Sequence, residues 1–250
     1  MTTRTVRTLA GALILVAAGS TGAAAQDLPD AKELLAKYHS AINASAWKDV
    51  NAMQSTGQFS MPAQGITGTF EAWSARPNKS AVKVNIPGLG DLHMGVTDTR
   101  AWSVNPFEGP RLYAGAEQVQ ALDDAAFDSA LRTEELVTSM STVEKTLLGG
   151  TECYKVKVVW KSGRETHDCY AIDTGLLVGL LFRSESNSGS GDAVTLYSDY
   201  KEFGGIRLPT RMTTQTMGME QVIIISDVKF NAVEDSAFEP PAQIKTLLGG

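Results

Sequence analysis

Three histidines, two cysteines and a few carboxylate pairs are the side chains here whose types could do chemistry. His39, His93 and His167 lack the H-x-H or H-x-x-x-H spacing that brings two imidazoles to one metal, so no metal site is expected. His167-Asp168-Cys169 places a base, a carboxylate and a thiol in sequence. The thiol, however, is better used as a disulfide partner than as a nucleophile. Serine hydrolysis wants Gly-x-Ser-x-Gly on a strand-to-helix elbow. Residues 186–191 (SNSGSG) lack the flanking strand and helix and read as a loop. Gly88-Leu89-Gly90, followed by Gly95, misses the dinucleotide spacing and opens no helix. Asp123-Asp124 and Glu134-Glu135 read as a solvated helix face rather than an acid–base pair. Met212, Met217 and Met219 suit either core packing or an adaptable apolar site. These residues point away from an enzyme and imply no cofactor.

Cys153 and Cys169 flank a strand–turn–strand pattern with its turn at residues 161–164 (KSGR). A disulfide between them is expected to staple this hairpin, worth about 3 kcal/mol in the chain-entropy model. Alternation puts Cys153 on the face of Lys155 and Lys157, opposite Tyr154, Val156, Val158 and Trp160. A redox pair would want C-x-x-C spacing, which is absent.

A disulfide also needs an oxidising compartment, and the N-terminus supplies the address. Arg4 and Arg7, the apolar residues 9–18 (LAGALILVAA) and Ala23-Ala24-Ala25 have the three parts of a cleavable export signal over residues 1–25. The apolar run is too short to span a bilayer. No Cys follows Ala25, so the exported chain lacks the acceptor for lipid anchoring. Cleavage leaves residues 26–250 as one domain, with 20 Lys and Arg against 28 Asp and Glu, a net charge of −8. So acidic a chain, without a basic run, fits neither nucleic acid nor anionic headgroups.

The elements that must position any site begin with a helix over 29–43, whose apolar stripe is Leu34, Leu35, Tyr38 and Ile42. Asp27 or Asp30 can cap it, and Pro29 suits its first turn. From Val50 the period changes to two. Strands are expected near 50–61, 65–75, 79–86, 91–97 and 99–104. After a turn-rich break at 105–110 comes a helical insertion, about 115–136. More strands follow near 141–148, 151–160, 165–172, 176–184, 192–203, 206–217 and 219–230. Asp98, Gly149-Gly150, Asp173-Thr174-Gly175, residues 186–191 and Gly204-Gly205 punctuate them. So many antiparallel strands predict a mainly β fold: a single strongly curved sheet, a half-barrel of about 11–12 strands, with an N-terminal helix and a helical lid.

Turn and strand signatures along residues 28–242 carry a family resemblance. They include Gly57-Gln58-Phe59, Gly68-Thr69-Phe70-Glu71 and residues 99–106 (TRAWSVNP). Residues 148–156 (LGGTECYKV) and 170–177 (YAIDTGLL) follow, then 197–209 (YSDYKEFGGIRLP) and Phe238-Glu239-Pro240-Pro241. In these the chain resembles the LolA/LolB-like superfamily of periplasmic lipid and lipoprotein carriers. It resembles the soluble branch in lacking a lipobox, and departs from it in its longer strand set and hairpin cysteines.

The resemblance implies a monomeric periplasmic carrier or chaperone that shields acyl chains of lipids or lipidated proteins in a hydrophobic concavity. It further implies exchange with an inner- or outer-membrane protein. The alternative is an envelope sensor or adaptor that uses the same concavity to detect lipid or peptide and contacts a protein partner. Residues expected to line the concavity are Phe70, Val82, Val84, Met94, Trp102, Tyr154, Val156, Val158, Leu196 and Ile224. Val119, Leu122, Phe127 and Leu131 are expected on the underside of the lid. Plain core packing is the competing reading at each.

Overall fold

The computed structural model describes Met1 and residues 28–97 and 99–249. The expected export signal, its cleavage site, Asp27 and the Asp98 turn lie outside the described residues. In chain order, α1 (Ala31–Ile42) passes through a 3₁₀ turn (Ala44–Asp49) into β1 (Ala52–Met61) and β2 (Ile66–Ala75). Then come β3 (Lys79–Ile86), β4 (Gly90–Thr97), β5 (Arg100–Asn105) and β6 (Gly109–Leu112). After α2 (Gly115–Ala125) and a 3₁₀ turn (Ser129–Leu131) follow β7 (Val137–Leu148), β8 (Thr151–Trp160) and β9 (Glu165–Ala171). The strands end with β10 (Leu177–Ser186), β11 (Gly189–Phe203), β12 (Ile206–Thr216) and β13 (Met219–Phe230). A 3₁₀ turn (Asp235–Phe238) and α3 (Ala242–Leu248) complete the described chain.

All thirteen strands form one antiparallel sheet in the order β6-β5-β4-β3-β2-β1-β13-β12-β11-β10-β9-β8-β7, open at both edges. Two meanders meet where β1 pairs with β13, so the chain's first and last strands form the seam. There β1 shifts register between Thr56 and Gly57. A Cβ on Gly57 would lie 1.9 Å from the Ile224 carbonyl oxygen, so only glycine admits this approach. β6 and α3 were absent from the sequence-based expectation. Strand β6 is only four residues long and contains Pro110, which resembles a loop in sequence.

Helix α1 plugs the concave side of the C-terminal half. Asp30 caps it, accepting from the Lys32 N–H at 2.7 Å, and Asn43 closes it in the left-handed conformation. Its buried stripe, Ala31, Leu34, Tyr38 and Ile42, packs with Val156, Val158, Trp160, Tyr170 and Leu177. Each large side chain buried there contributes about 1.5–3 kcal/mol. A second core joins Phe59, Phe70, Val84 and Ile86 on the N-terminal half. On the outer face, α3 contacts β5 and β6, and the preceding turn contacts β3 and β4. Phe238 and Ile244 are buried there, and Lys79 lies 5.7 Å from the Phe238 ring centroid.

Candidate functional site

Opposed residues in a ladder share a face, so the register decides what lines the concavity. Ala72 opposes Val82, Val82 opposes Met94, and Met94 opposes Ser103. Phe70 and Val84 belong to the same inner face, packed in the second core, with Val82 beside them. Ala81, Gly95 and Trp102 form the adjoining row, which faces outward. Trp102 is therefore not a concavity residue. It is wholly buried on the outer face of β5, giving its indole N–H to Thr97 Oγ1 at 3.0 Å.

Two further expectations have the wrong parity. Leu196 opposes Gly179 on the outer face, and Gly149 at the β7–β8 turn approaches it. The inward residues of β11 are Thr195 and Tyr197, so apolarity pointed the wrong way. Ile224 opposes Gln58 and is 38% exposed, whereas Ile223 and Ile225 pack inward. A continuous run of apolar residues carries no parity signal. Tyr154, Val156 and Val158 do face inward, but α1 covers them with packed side chains.

The expected disulfide is absent: both cysteines are free thiols, buried on the outer side. Trp160 pairs with Arg164 across a three-residue loop, which sets Cys153 opposite Ala171 and Cys169 opposite Lys155. The thiols are thus diagonal neighbours, where Cα atoms stand about 7–8 Å apart. A disulfide wants about 4.4–6.8 Å. Burial pushes both thiols above their ordinary value, Cys169 the more strongly. The tip of the β7–β8 hairpin covers this side. A Cβ at Gly179, opposite Cys169, would lie 2.2 Å from Leu148 Cδ2.

Helix α2 is strapped to both wings of the sheet. Gln118 Oε1 accepts from the Ala101 N–H at 3.0 Å, and its amide donates to the Thr99 carbonyl. On the other wing, Gln120 Oε1 accepts from the Glu185 N–H at 3.0 Å. Arg164 Nη1 donates to Asp124 at 2.7 Å, and Ser162 Oγ to Asp123 at 2.7 Å. Burial raises the Asp123 carboxyl above its ordinary value. Beyond α2 the strap is pinned again: the Phe127 N–H donates to the Pro77 carbonyl at 2.9 Å. Asp128 accepts from Trp47 Nε1 at 2.9 Å and from Arg76. The Trp47 and Phe127 rings stack with centroids 5.1 Å apart.

Of the lid residues, Phe127 is buried and Leu122 packs with Val96, Ala101 and Ala125. Leu131 joins two cores, whereas Val119, 37% exposed, does not face the sheet's core. Beneath the strap lie two adjoining cavities. The first, about 340 Å³, is lined by Trp47, Met53, Ala72, Val82, Phe127, Ile225 and Val228. The second, about 370 Å³, is lined by Tyr38, Arg132, Trp160, Arg164, Tyr197, Thr214 and their neighbours. Asp124, Ser129, Ala130, Leu208, Pro209 and Met212 border both. Of the residues expected on the concavity and its lid, Val82 and Phe127 border one of these two cavities. Among the methionines singled out in sequence, Met212 lies between the two.

The polar side of this site was not legible in the sequence. Arg132 makes a bidentate pair with Asp168, Nε to Oδ2 at 2.8 Å and Nη2 to Oδ1 at 2.9 Å. Their side chains are 6% and 0% exposed. Tyr170 donates its hydroxyl to Asp168 at 2.8 Å, and the guanidinium lies 5.1 Å from the Trp160 ring centroid. Burial pushes the Tyr38 hydroxyl up to about 12 and those of Tyr170, Tyr197 and Tyr200 higher still, so all are neutral donors. The pairing also leaves Asp168 engaged apart from His167 and Cys169. Among the described residues, no three His, Cys, Asp or Glu side chains converge in a way that could hold a metal.

No family model matches the chain, and no curated protein does. Solved structures do. A LolA superfamily protein from Nitrosomonas europaea superposes with a TM-score of 0.56 at 15% identity, over 85% of this chain and 99% of that one. The fold is LolA-like. A DUF1329 family protein from Desulfovibrio piger superposes with a TM-score of 0.55 at 14% identity, over 82% of this chain and 97% of its own. The LolA-like architecture expected from turn signatures is thus the observed one, with thirteen strands.

Proposed function

We propose that this protein is a non-catalytic periplasmic carrier that shields the acyl chain of a lipid or lipidated protein between its sheet and the α2 strap. In this reading residues 1–25 direct export and residues 26–250 form the carrier domain. The observation that carries it is the pair of cavities, about 340 and 370 Å³, roofed by a strap bound to both wings of an open sheet. An antiparallel sheet that had only to be a scaffold would fill this space with side chains. Both volumes fall in the range of small-molecule sites. Each methylene moved from water into the first cavity gains about 0.8 kcal/mol, which a carrier must balance against the same gain in a membrane. The likeness to a LolA superfamily protein supports the reading at the level of fold.

The test is purification from a native envelope without detergent, followed by lipid extraction and mass spectrometry, and transfer of a fluorescent acyl lipid between vesicles. Co-purified acyl lipid and protein-dependent transfer are expected. Binding without transfer, together with capture of an envelope protein, would instead favour a sensor or adaptor. A chain that carries no lipid and binds no acyl probe would refute both.

A further inference from the structure

The two cavities differ in chemistry. The first is walled by apolar side chains such as Met53, Ala72, Val82 and Phe127. The second presents hydrogen-bond donors. Tyr170 and Tyr200 give their hydroxyls to Asp168 and to the Leu177 carbonyl, whereas the Tyr38 and Tyr197 hydroxyls have no partner among the described residues. Tyr38 is only 5% exposed, and what its ring does not give to the core it turns to this cavity. Arg164 Nε also lacks an acceptor, but it is buried within the wall, and Nη1 is held by Asp124. Tyr38 and Tyr197 both line the second cavity, so an acceptor placed there can take the hydrogen bonds that these two hydroxyls do not make within the chain.

The charges around this cavity cancel. Arg132 is matched by Asp168, and Arg164 by Asp124 at 2.7 Å, with Asp123 a further 3.8 Å contact. A carboxylate or phosphate entering here would lose its water and gain no uncompensated cation, next to two or three fixed carboxylates. A neutral carbonyl accepts from hydroxyls without that cost. We propose that the carried ligand is a single acyl chain in neutral ester form, its tail in the apolar cavity and its ester carbonyl accepting from Tyr38 and Tyr197. The proposal rests on the acyl-carrier reading and adds to it a head-group chemistry.

The matched probes are 1-tetradecanoylglycerol and 1-O-tetradecylglycerol, which differ in the carbonyl alone, titrated into the whole exported chain by displacement of a fluorescent acyl probe. One to two hydrogen bonds to the carbonyl make the ester bind about tenfold tighter than the ether. In Tyr38→Phe/Tyr197→Phe the preference falls below about twofold while ether affinity is kept. A thermal melt of the variant checks its fold, and the comparison in the unmodified protein needs no variant. Equal binding of ester and ether overturns the head-group assignment and leaves the carrier reading standing. Tighter binding of tetradecanoate at pH 8 than of the ester also overturns it. Binding of neither glycerol probe removes both.

Discussion

Replacing Asp168 by Asn tests whether the Arg132–Asp168 pair locks the strap to the sheet. Arg132 stands in the segment between α2 and β7, and Asp168 in the middle of β9. Asn keeps the carboxylate's shape and one acceptor but leaves the guanidinium charge unmatched. An exposed pair would lose at most about 1 kcal/mol. This one is bidentate, with side chains 6% and 0% exposed, so solvent cannot take over the charge. Breaking such a pair costs about 3–5 kcal/mol, and the retained acceptor places Asn at the lower end. At about 3 kcal/mol, a chain of this size melts about 6–12 °C lower. The assay is thermal unfolding followed by far-UV circular dichroism, with urea midpoints as a second measure. The companion variant Arg132→Met/Asp168→Leu/Tyr170→Phe removes the charges and the hydroxyl that depends on them. It is expected within about 1 kcal/mol of the unmodified protein, because desolvation of the pair cancels most of its attraction. If Asp168→Asn melts within about 2 °C of the parent, or the triple variant falls below it, the reasoning is wrong.

Val82→Phe places a ring in the 340 Å³ cavity. Displacing about two methylenes of ligand weakens acyl-probe binding about tenfold without lowering the melting temperature, and undiminished binding would remove this cavity from the site. Alkylation after unfolding in denaturant is expected to label both Cys153 and Cys169, as free buried thiols require. An intact mass two hydrogen atoms lighter would show a bridge instead. His93 and His167 are held below the ordinary imidazole value, first by burial and then by Lys83 for His93 and by Lys155 and Lys157 for His167. The unfolded chain therefore binds these protons more readily, and stability present above about pH 6.5 is lost as pH falls below it. Urea midpoints at pH 7.5 and 5.5 should show the loss. His93→Gln/His167→Gln should flatten it, and an unchanged slope would exclude these groups as its source.

Most of the elements were legible locally. Asp30, the Leu34–Tyr38–Ile42 stripe and Asn43 describe α1 because capping and a 3.6-residue period are short-range properties. Twelve of the strands were readable because their turns carry Gly, Pro, Asn and Asp where the backbone needs them, as at Gly65, with φ of +65°. The site was less legible. Val82, on an alternating strand, and Phe127, in the turn just beyond α2, were readable as apolar residues that face something apolar. Tyr38, Arg132, Arg164, Asp168 and Tyr197 were not, because in sequence they are a core tyrosine, surface charges and a strand residue.

The sequence alone determined that a long antiparallel meander forms, where it turns, and that α1 and α2 accompany it. These follow from hydrophobic period and turn chemistry within a few residues. Tertiary structure decided which face each residue takes. A register is set by turn length and bulges, and one step reverses every side chain. The three-residue loop after Trp160 staggered the cysteines, and the β4–β5 register turned Trp102 outward beneath the C-terminal segment. The Arg132–Asp168 pair, 36 residues apart, exists only because the segment after α2 crosses β9, where both side chains are buried. Burial then keeps the two charges matched to each other rather than to solvent.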